Sequence, residues 1–229
     1  MNGSPQIHLN VLIGIGDNDQ GYVGNNSLKW GNYILGNTET IDPYLDRRLN
    51  RYELFDYCQN LNNDNINVLI AILSWGGMNR RYGLLLFNNL NHILPIIENL
   101  RGNQYGNRIT AFESFQNLRT QGLLPGLGIG YFTKLICFLA PNLNGYIMDQ
   151  WVSKSVNLLT DERIVTIQNG GWVNDENNST IYETFCNVID ELAELLNCEG
   201  YEAEKRIFSV GRGQGLWRNY LIQNYNVHL

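Results

Sequence analysis

The spacing of three glycines between two helical segments limits the fold of this chain more than any other feature of its sequence. In LPGLGIG, residues 124–130, glycine stands at every second position, at Gly126, Gly128 and Gly130. TAFESFQNL precedes this stretch and YFTKLICFL follows it, both with apolar residues at helical spacing. Because glycine lacks a Cβ and enters backbone conformations that other residues avoid, the pattern predicts two helices joined by a tight hairpin.

Helical spacing of apolar residues continues through much of the chain. The clearest amphipathic helix is IYETFCNVIDELAELLN at 181–197. Residues 1–40 are rich in glycine and asparagine, and we expect loops there with short extended pieces such as VLIGIG. The sequence therefore predicts a mostly α protein. Its other helices are expected at 43–61 (beginning at Asp42-Pro43), 65–74, 83–99 (with a break at Pro95), 150–159 and 216–225.

The overall charge and the cysteines exclude several classes of protein. The 229 residues carry a net charge of −6, which excludes a uniformly basic nucleic-acid-binding surface but not a local basic face. The four cysteines include no CxxC pair, which argues against a zinc ribbon or an iron–sulfur cluster. No apolar run approaches 18 residues, and no signal segment is recognisable. We therefore expect a cytoplasmic protein with no membrane segment, metal or cofactor.

The glycine hairpin is suited to contact with a phosphate. The first N–H groups of a helix lack partners within the helix and carry a partial positive charge. Glycine lets an anion approach them closely. We expect Leu124 and Leu127 to pack inward while the amides of Gly126, Gly128 and Gly130 face a DNA phosphate. An ordinary tight turn between two core helices is the alternative.

Beyond the hairpin, the chain resembles a known superfamily. LPGLGIG, the helix after it and Asp149 in GYIMDQWV look like the helix–hairpin–helix DNA glycosylases, above all their 8-oxoguanine branch. The resemblance covers about residues 64–160. It implies a two-lobed helical fold with an active-site cleft between the lobes. One lobe would hold about 64–160, and the other about 1–63 plus 161–229.

The position of the lysine separates subfamilies within this resemblance. Eukaryotic-type 8-oxoguanine glycosylases place a lysine almost directly after the hairpin, where this chain has Gly130. Here the lysine is Lys134, one helical turn later on the same face. The archaeal enzymes are more similar, since their lysine also lies deeper in the helix with an aromatic residue four positions on, as Phe138 does here.

The resemblance implies a catalytic pair, Lys134 and Asp149. A carboxylate stabilises the positive charge that develops on a sugar when its glycosidic bond breaks. A lysine among apolar residues has a lowered pKa, and its neutral amine can attack C1′ and form a Schiff base, after which β-elimination nicks the strand. The alternatives are that Asp149 only caps the helix at 150–159 and that Lys134 is a snorkelling surface lysine, with a buried stem and its charged head near water.

A base inside a duplex is out of reach unless the enzyme flips it out. WGGMNRR at 75–81 occupies the position of the superfamily's wedge loop, where Met78 or Asn79 would fill the gap. Arg80 and Arg81 would then hold phosphates or the orphaned base. A glycine-rich turn with solvated arginines is the alternative. Lys154 is a further candidate phosphate contact.

A flipped base needs stacking partners and a group that reads its edge. The candidates for stacking are Trp75, Phe138 and Trp217, although aromatic residues more often belong to a core. Gln214 would read an exocyclic group, and Arg212 and Arg218 would extend the DNA-binding face.

The leading hypothesis is a monomeric DNA glycosylase with lyase activity that acts on double-stranded DNA containing a modified base. By resemblance that base is 8-oxoguanine. A second hypothesis is removal of a hypermodified cytosine from phage DNA in antiviral defence, since Gly130 and Gly213 would leave room for a bulkier base. A third is a hairpin module that binds DNA without catalysis.

Overall fold

The computed structural model describes residues 4–16, 22–37, 39–168, 171–208 and 215–225, and the following account concerns these residues. They form mostly α-helices, with a single two-stranded antiparallel sheet. The predicted mostly α fold is confirmed. The chain divides into two compact units: a central unit, Tyr22–Gly145, and a terminal unit, Met1–Gly21 with Tyr146–Leu229.

The described elements are twelve α-helices, two strands and two short 3-10 helices. In chain order they are α1 (Ser4–Ile15), β1 (Val23–Asn26), α2 (Ser27–Leu35), a 3-10 helix (Pro43–Leu45), β2 (Arg48–Asn50), α3 (Arg51–Gln59), α4 (Asn65–Trp75), α5 (Arg80–Phe87), α6 (Leu90–Arg101), α7 (Arg108–Thr120), α8 (Ile129–Leu139), a 3-10 helix (Pro141–Leu143), α9 (Gln150–Thr160), α10 (Ser179–Leu196), α11 (Gly200–Phe208) and α12 (Leu216–Asn224).

Two helices that are apolar on nearly all sides form the core of the central unit. In α4 every residue from Val68 to Leu73 is fully buried, and in α8 the same is nearly true from Phe132 to Leu139. Helices of this kind are stable only when other elements surround them. α8 accordingly packs against α3, α4, α6 and α7.

Side-chain amides and guanidinium groups hold the ends of these core helices. Gln59 Nε2 donates to the carbonyl of Phe138 at 2.7 Å, close to the C-terminal end of α8. Arg101, at the end of α6, donates to the carbonyls of Asn60 and Asn63 at 2.8 Å each. These bonds satisfy carbonyl groups that helix ends and loops leave without backbone partners.

In the terminal unit, α9 is surrounded by α1, α10, α11 and α12. Its Ser155 hydroxyl oxygen lies 2.9 Å from the carbonyl of Ile207 and accepts a hydrogen bond from Trp217 Nε1, also at 2.9 Å. A single small polar side chain in α9 therefore contacts both α11 and α12.

The expectation of loops before residue 40 is wrong. VLIGI belongs to α1, and residues Ser27–Leu35 form α2. Branched residues and glycine lower helix propensity, but Leu9 and Leu12 are buried where α1 packs on α9 and α12. Tertiary burial thus outweighs the local preference.

Two predicted helices between residues 43 and 101 are interrupted at other places than expected. The helix expected at 43–61 is a 3-10 turn capped by Asp42, then β2, then α3, which begins at a reciprocal capping box between Asn50 and Glu53. Pro95 does not break its helix but lies inside α6. The interruption falls instead at Asn88 and Asn89, between α5 and α6.

The two compact units have different boundaries from the lobes expected at 64–160 and at 1–63 plus 161–229. The units change at 21/22 and at 145/146. Residues between 22 and 63 belong with the central unit because α2 packs on α4, and α3 packs on α8.

None of the helices described here is both long enough and apolar enough to cross a membrane.

Close packing at Gly24 makes it a sensitive position in the central unit. A Cβ at Gly24 would lie 2.6 Å from the backbone Cα of Trp75, which cannot move without moving α4. We expect Gly24→Ala to lower the free energy of unfolding by about 1–3 kcal/mol, measured by urea denaturation. Gly106→Ala is the control, since a Cβ there meets nothing within 4 Å. Equal stability of the two variants would contradict the packing described.

Candidate active site

The predicted hairpin joins α7 to α8 through residues 121–128. Gly122 and Gly126 have φ of +73° and +78°, conformations that strongly favour glycine. Leu124 and Leu127 are 3% and 1% exposed. Their predicted inward packing is therefore confirmed.

The first backbone N–H groups of α8 have no partners within the helix. Gly128 is its N-cap, and the Gly128 carbonyl accepts from the N–H groups of Tyr131 and Phe132 at 2.9 and 3.1 Å. The N–H groups of Ile129 and Gly130 come before these and have no preceding helical turn to bond to. A contact between these amides and DNA stays a prediction.

Lys134 lies in the second turn of α8 with its charge largely withdrawn from water. The residue is only 7% exposed, so most of its side chain is buried, as the stem of a snorkelling lysine would also be. Its Nζ donates to the carbonyl of Gly130 at 2.7 Å and lies 5.7 Å from the ring centre of Tyr131. A Cβ at Gly76 would lie 2.9 Å from Lys134 Cδ, so the absence of a side chain at Gly76 makes room for the lysine stem.

Two aromatic candidates for the base pocket lie near Lys134. Phe138 follows it by one helical turn, and Trp75 directly precedes Gly76. Their rings pack edge to face with centres 5.2 Å apart, and both residues are at least 98% buried. The indole N–H of Trp75 is buried and has no acceptor within the described part of the chain. A buried donor of this kind costs free energy until it finds a partner.

Asp149 is the N-cap of α9 in the terminal unit. Its Oδ1 accepts from the N–H groups of Trp151 and Val152 at 2.8 and 3.0 Å. Within the described ranges, Oδ2 accepts no hydrogen bond, and the residue is half-buried. The capping role proposed from the sequence is confirmed. The second carboxylate oxygen, Oδ2, is not used by the cap.

Two cations lie against Trp151, two residues after Asp149. The guanidinium of Arg218 lies 3.8 Å from the centre of the Trp151 ring, and Lys154 Nζ lies 4.8 Å from it. Burial lowers the pKa of Arg218 to about 10, and the charge of Asp149 partly opposes this shift. Burial, followed by repulsion from Arg218, also lowers the pKa of Lys154.

Two of the remaining candidates in the terminal unit are buried, and a third lies outside the described residues. Trp217 is 1% exposed and stacks on Tyr220, so its ring is part of the core of this unit. Arg218 is 2% exposed and donates to the carbonyl of Phe208, so it does not belong to an exposed DNA-binding face as expected. Its flat guanidinium is held by the stack on Trp151. Gln214, with Arg212 and Gly213, lies outside the described residues.

Residues 76–79 join α4 to α5, and the segment from Met78 to Arg81 lines a cavity within the central unit. Met78 is 2% exposed, and its carbonyl accepts from Trp30 Nε1 at 2.8 Å. Asn79 is exposed and caps α5, while Arg80 and Arg81 are also exposed. Of the two candidate wedge residues, only Asn79 presents its side chain to solvent.

The structure groups the predicted residues within each unit and adds partners that the sequence did not indicate. Lys134, Trp75 and Phe138 lie together in the central unit. In the terminal unit, Asp149 and Lys154 lie beside Trp151, which the sequence analysis missed. Its signal was weak: a tryptophan at the second position after a capping aspartate looks like any first-turn residue.

A family model described as "Putative 8-oxoguanine DNA glycosylase OGG-like protein" matches residues 25–208. No curated protein and no solved structure matches the chain. The matched range includes the hairpin, Lys134, Asp149 and the segment from Met78 to Arg81.

The capping role of Asp149 can be separated from its charge. We expect Asp149→Asn to keep the free energy of unfolding within about 0.5 kcal/mol of wild type, because asparagine caps helices as well as aspartate. Asp149→Ala should lose about 1 kcal/mol, because two backbone N–H groups lose their acceptor. Urea denaturation measures both. Equal losses in the two variants would show that the charge, rather than the cap, stabilises α9.

Proposed function

The chain belongs to the OGG-like family of DNA glycosylases, and we propose that it excises 8-oxoguanine from double-stranded DNA and then nicks the strand as a lyase. Its matched range covers residues 25–208. The observation that carries the proposal is the buried amine of Lys134, which follows a glycine hairpin inside that range.

In this proposal Lys134 is the nucleophile. The form that attacks is the neutral amine, whose lone pair is free to bond to carbon. Nζ forms a bond to C1′ of the flipped nucleotide, and the glycosidic bond breaks as the base leaves with its electron pair and gains a proton. The sugar ring then opens to a Schiff base. Loss of a C2′ proton expels the 3′ phosphate and nicks the strand.

Asp149 would stabilise the positive charge that develops on the sugar before the new bond is complete. Its Oδ1 is fixed by two backbone N–H groups, which orient the carboxylate and leave Oδ2 for the substrate.

Trp75 supplies a reason for choosing 8-oxoguanine. This base carries a carbonyl oxygen at C8 that guanine lacks, and a donor aimed at that oxygen would distinguish the two. In this proposal the buried indole N–H of Trp75, which has no acceptor in the described part of the chain, would be that donor. Phe138, in edge-to-face contact with Trp75, would give the base an apolar wall. Trp217 and Gln214 remain candidates for further base contacts.

DNA would be held through several groups of side chains and backbone amides. The amides around Gly126, Gly128 and Gly130 would bind a phosphate without reading sequence. Met78 or Asn79 would fill the gap left by the flipped nucleotide, and Arg80, Arg81 and Lys154 would bind phosphates.

Borohydride trapping on a duplex with one 8-oxoguanine tests the nucleophile. Wild type should form a covalent protein–DNA adduct, and Lys134→Gln should reduce its yield at least about 100-fold, because no other amine replaces Nζ. Lys205→Gln, a lysine paired with Glu202 in α11, is the control and should trap like wild type.

Asp149→Asn provides the second arm of this experiment. It should slow base release by about 100- to 1,000-fold, because a transition-state charge loses its partner. If base release survives in Lys134→Gln and fails only in Asp149→Asn, the lyase assignment is wrong. Release of a hypermodified cytosine in place of 8-oxoguanine would refute the substrate. Binding with no product from any modified duplex would refute catalysis.

A further inference from the structure

We propose that a cavity of about 720 Å³ in the central unit binds successive phosphate groups of a DNA strand, with Lys29 and Arg48 as contacts beyond the predicted ones. The proposal rests on the proposed function for the identity of its ligand. The residues lining the cavity include four cations and no carboxylate: Asn25, Asn26, Lys29, Trp30, Tyr33, Arg48, Met78, Asn79, Arg80 and Arg81.

Two helices begin at this cavity, and their first turns carry the wrong charge for an isolated helix. α2 is capped by Asn26 and has Lys29 in its first turn, while α5 is capped by Asn79 and begins with Arg80 and Arg81. A helix N-terminus is positive, so acidic residues there are stabilising and cations are destabilising. Neither first turn contains an acid. An anion bound in the cavity would be attracted both by these cations and by the helix N-termini, and would offset the repulsion between them.

The small sheet brings in the fourth cation. Asn26 in β1 pairs with Arg48 in β2, so Arg48 lies beside the cap of α2. The position is far from α2 in sequence, which is why no motif indicated it.

The four cations have no acidic partners in the part of the chain that the structure describes. Arg80 lies 5.0 Å from the ring centre of Tyr33, a contact that orients its guanidinium without neutralising it. The whole chain has a net charge of −6, so this cluster runs against the average composition. Mutual repulsion of like charges makes an anion the natural occupant.

The inner wall of the cavity is built to keep its shape. Trp30 donates its indole N–H to the Met78 carbonyl, which ties α2 to the segment before α5. A Cβ at Gly83 would lie 2.6 Å from the Trp30 ring, so α5 packs directly on this tryptophan. The two helix starts therefore have a common support in Trp30.

Exposure of the cations favours a strand over a small nucleotide. Lys29, Arg48, Arg80 and Arg81 are all exposed, which is the arrangement that binds a row of phosphates through counterion release. A site for one small polyphosphate would enclose its ligand more completely.

The test is the salt dependence of binding to an undamaged duplex, which requires no catalysis. We expect Lys29→Gln with Arg48→Gln to reduce the slope of log affinity against log salt by about 2, because each lost phosphate contact removes about 0.9. Affinity at low salt should fall at least about tenfold.

Arg47→Gln with Arg163→Gln is the matched control, since it removes the same charge from exposed residues outside the cavity. It should leave the slope within about 0.5 of wild type.

An equal change in both double variants would refute the site. So would an unchanged slope with loss of pyrophosphate binding, measured by calorimetry, because the ligand would then be a small anion. If trapping fails in wild type while the slopes differ as expected, the proposed function fails and the phosphate site stands.

Discussion

The central unit depends on the burial of one ammonium group in a helix that is otherwise apolar. Removing a charge from water is costly unless polar groups surround it. The Gly130 carbonyl receives the proton-bearing end of Lys134, and Gly76 leaves room for its stem. A larger residue at Gly76 would force the lysine outward. Glycines at 76 and in the hairpin thus fix where the amine can be.

The same capping device serves different purposes in the two units. Asp149 accepts two backbone N–H groups with one oxygen, which leaves a fixed carboxylate at the start of α9. Asn26 and Asn79 cap α2 and α5 with neutral side chains, and Asp46 Oδ1 accepts a hydrogen bond from Asn26 Nδ2, so a carboxylate adjoins the cap of α2. An aspartate cap adds a negative charge to the start of its helix. An asparagine cap adds no charge, so the partial positive charge of that helix start still attracts anions.

Sequence patterns predicted those helices in which the spacing of apolar residues and the capping residues indicate the same range. α4, α7, α8, α9 and α10 fall within a few residues of their expected ranges. α1 was missed because VLIGIG favours extended structure locally, and its burial against α9 depends on residues more than a hundred positions away. For the candidate site, spacing pointed to Lys134 and Asp149. It gave no sign of Trp151 beneath Arg218, or of Arg48 beside Asn26, because both contacts arise from tertiary pairing.

The unpaired cations at the starts of α2 and α5 give salt two opposite effects. Salt stabilises the folded protein by weakening repulsion between these cations, and it weakens the binding of a polyanion to them. Dissolved ions screen repulsion between exposed charges over distances of about 8 Å at physiological concentration. Added salt therefore relieves strain in the free protein while it competes with a polyanion for the same surface. A high salt concentration is then best for storing the free protein, and it is also the condition in which the protein binds a nucleic acid most weakly.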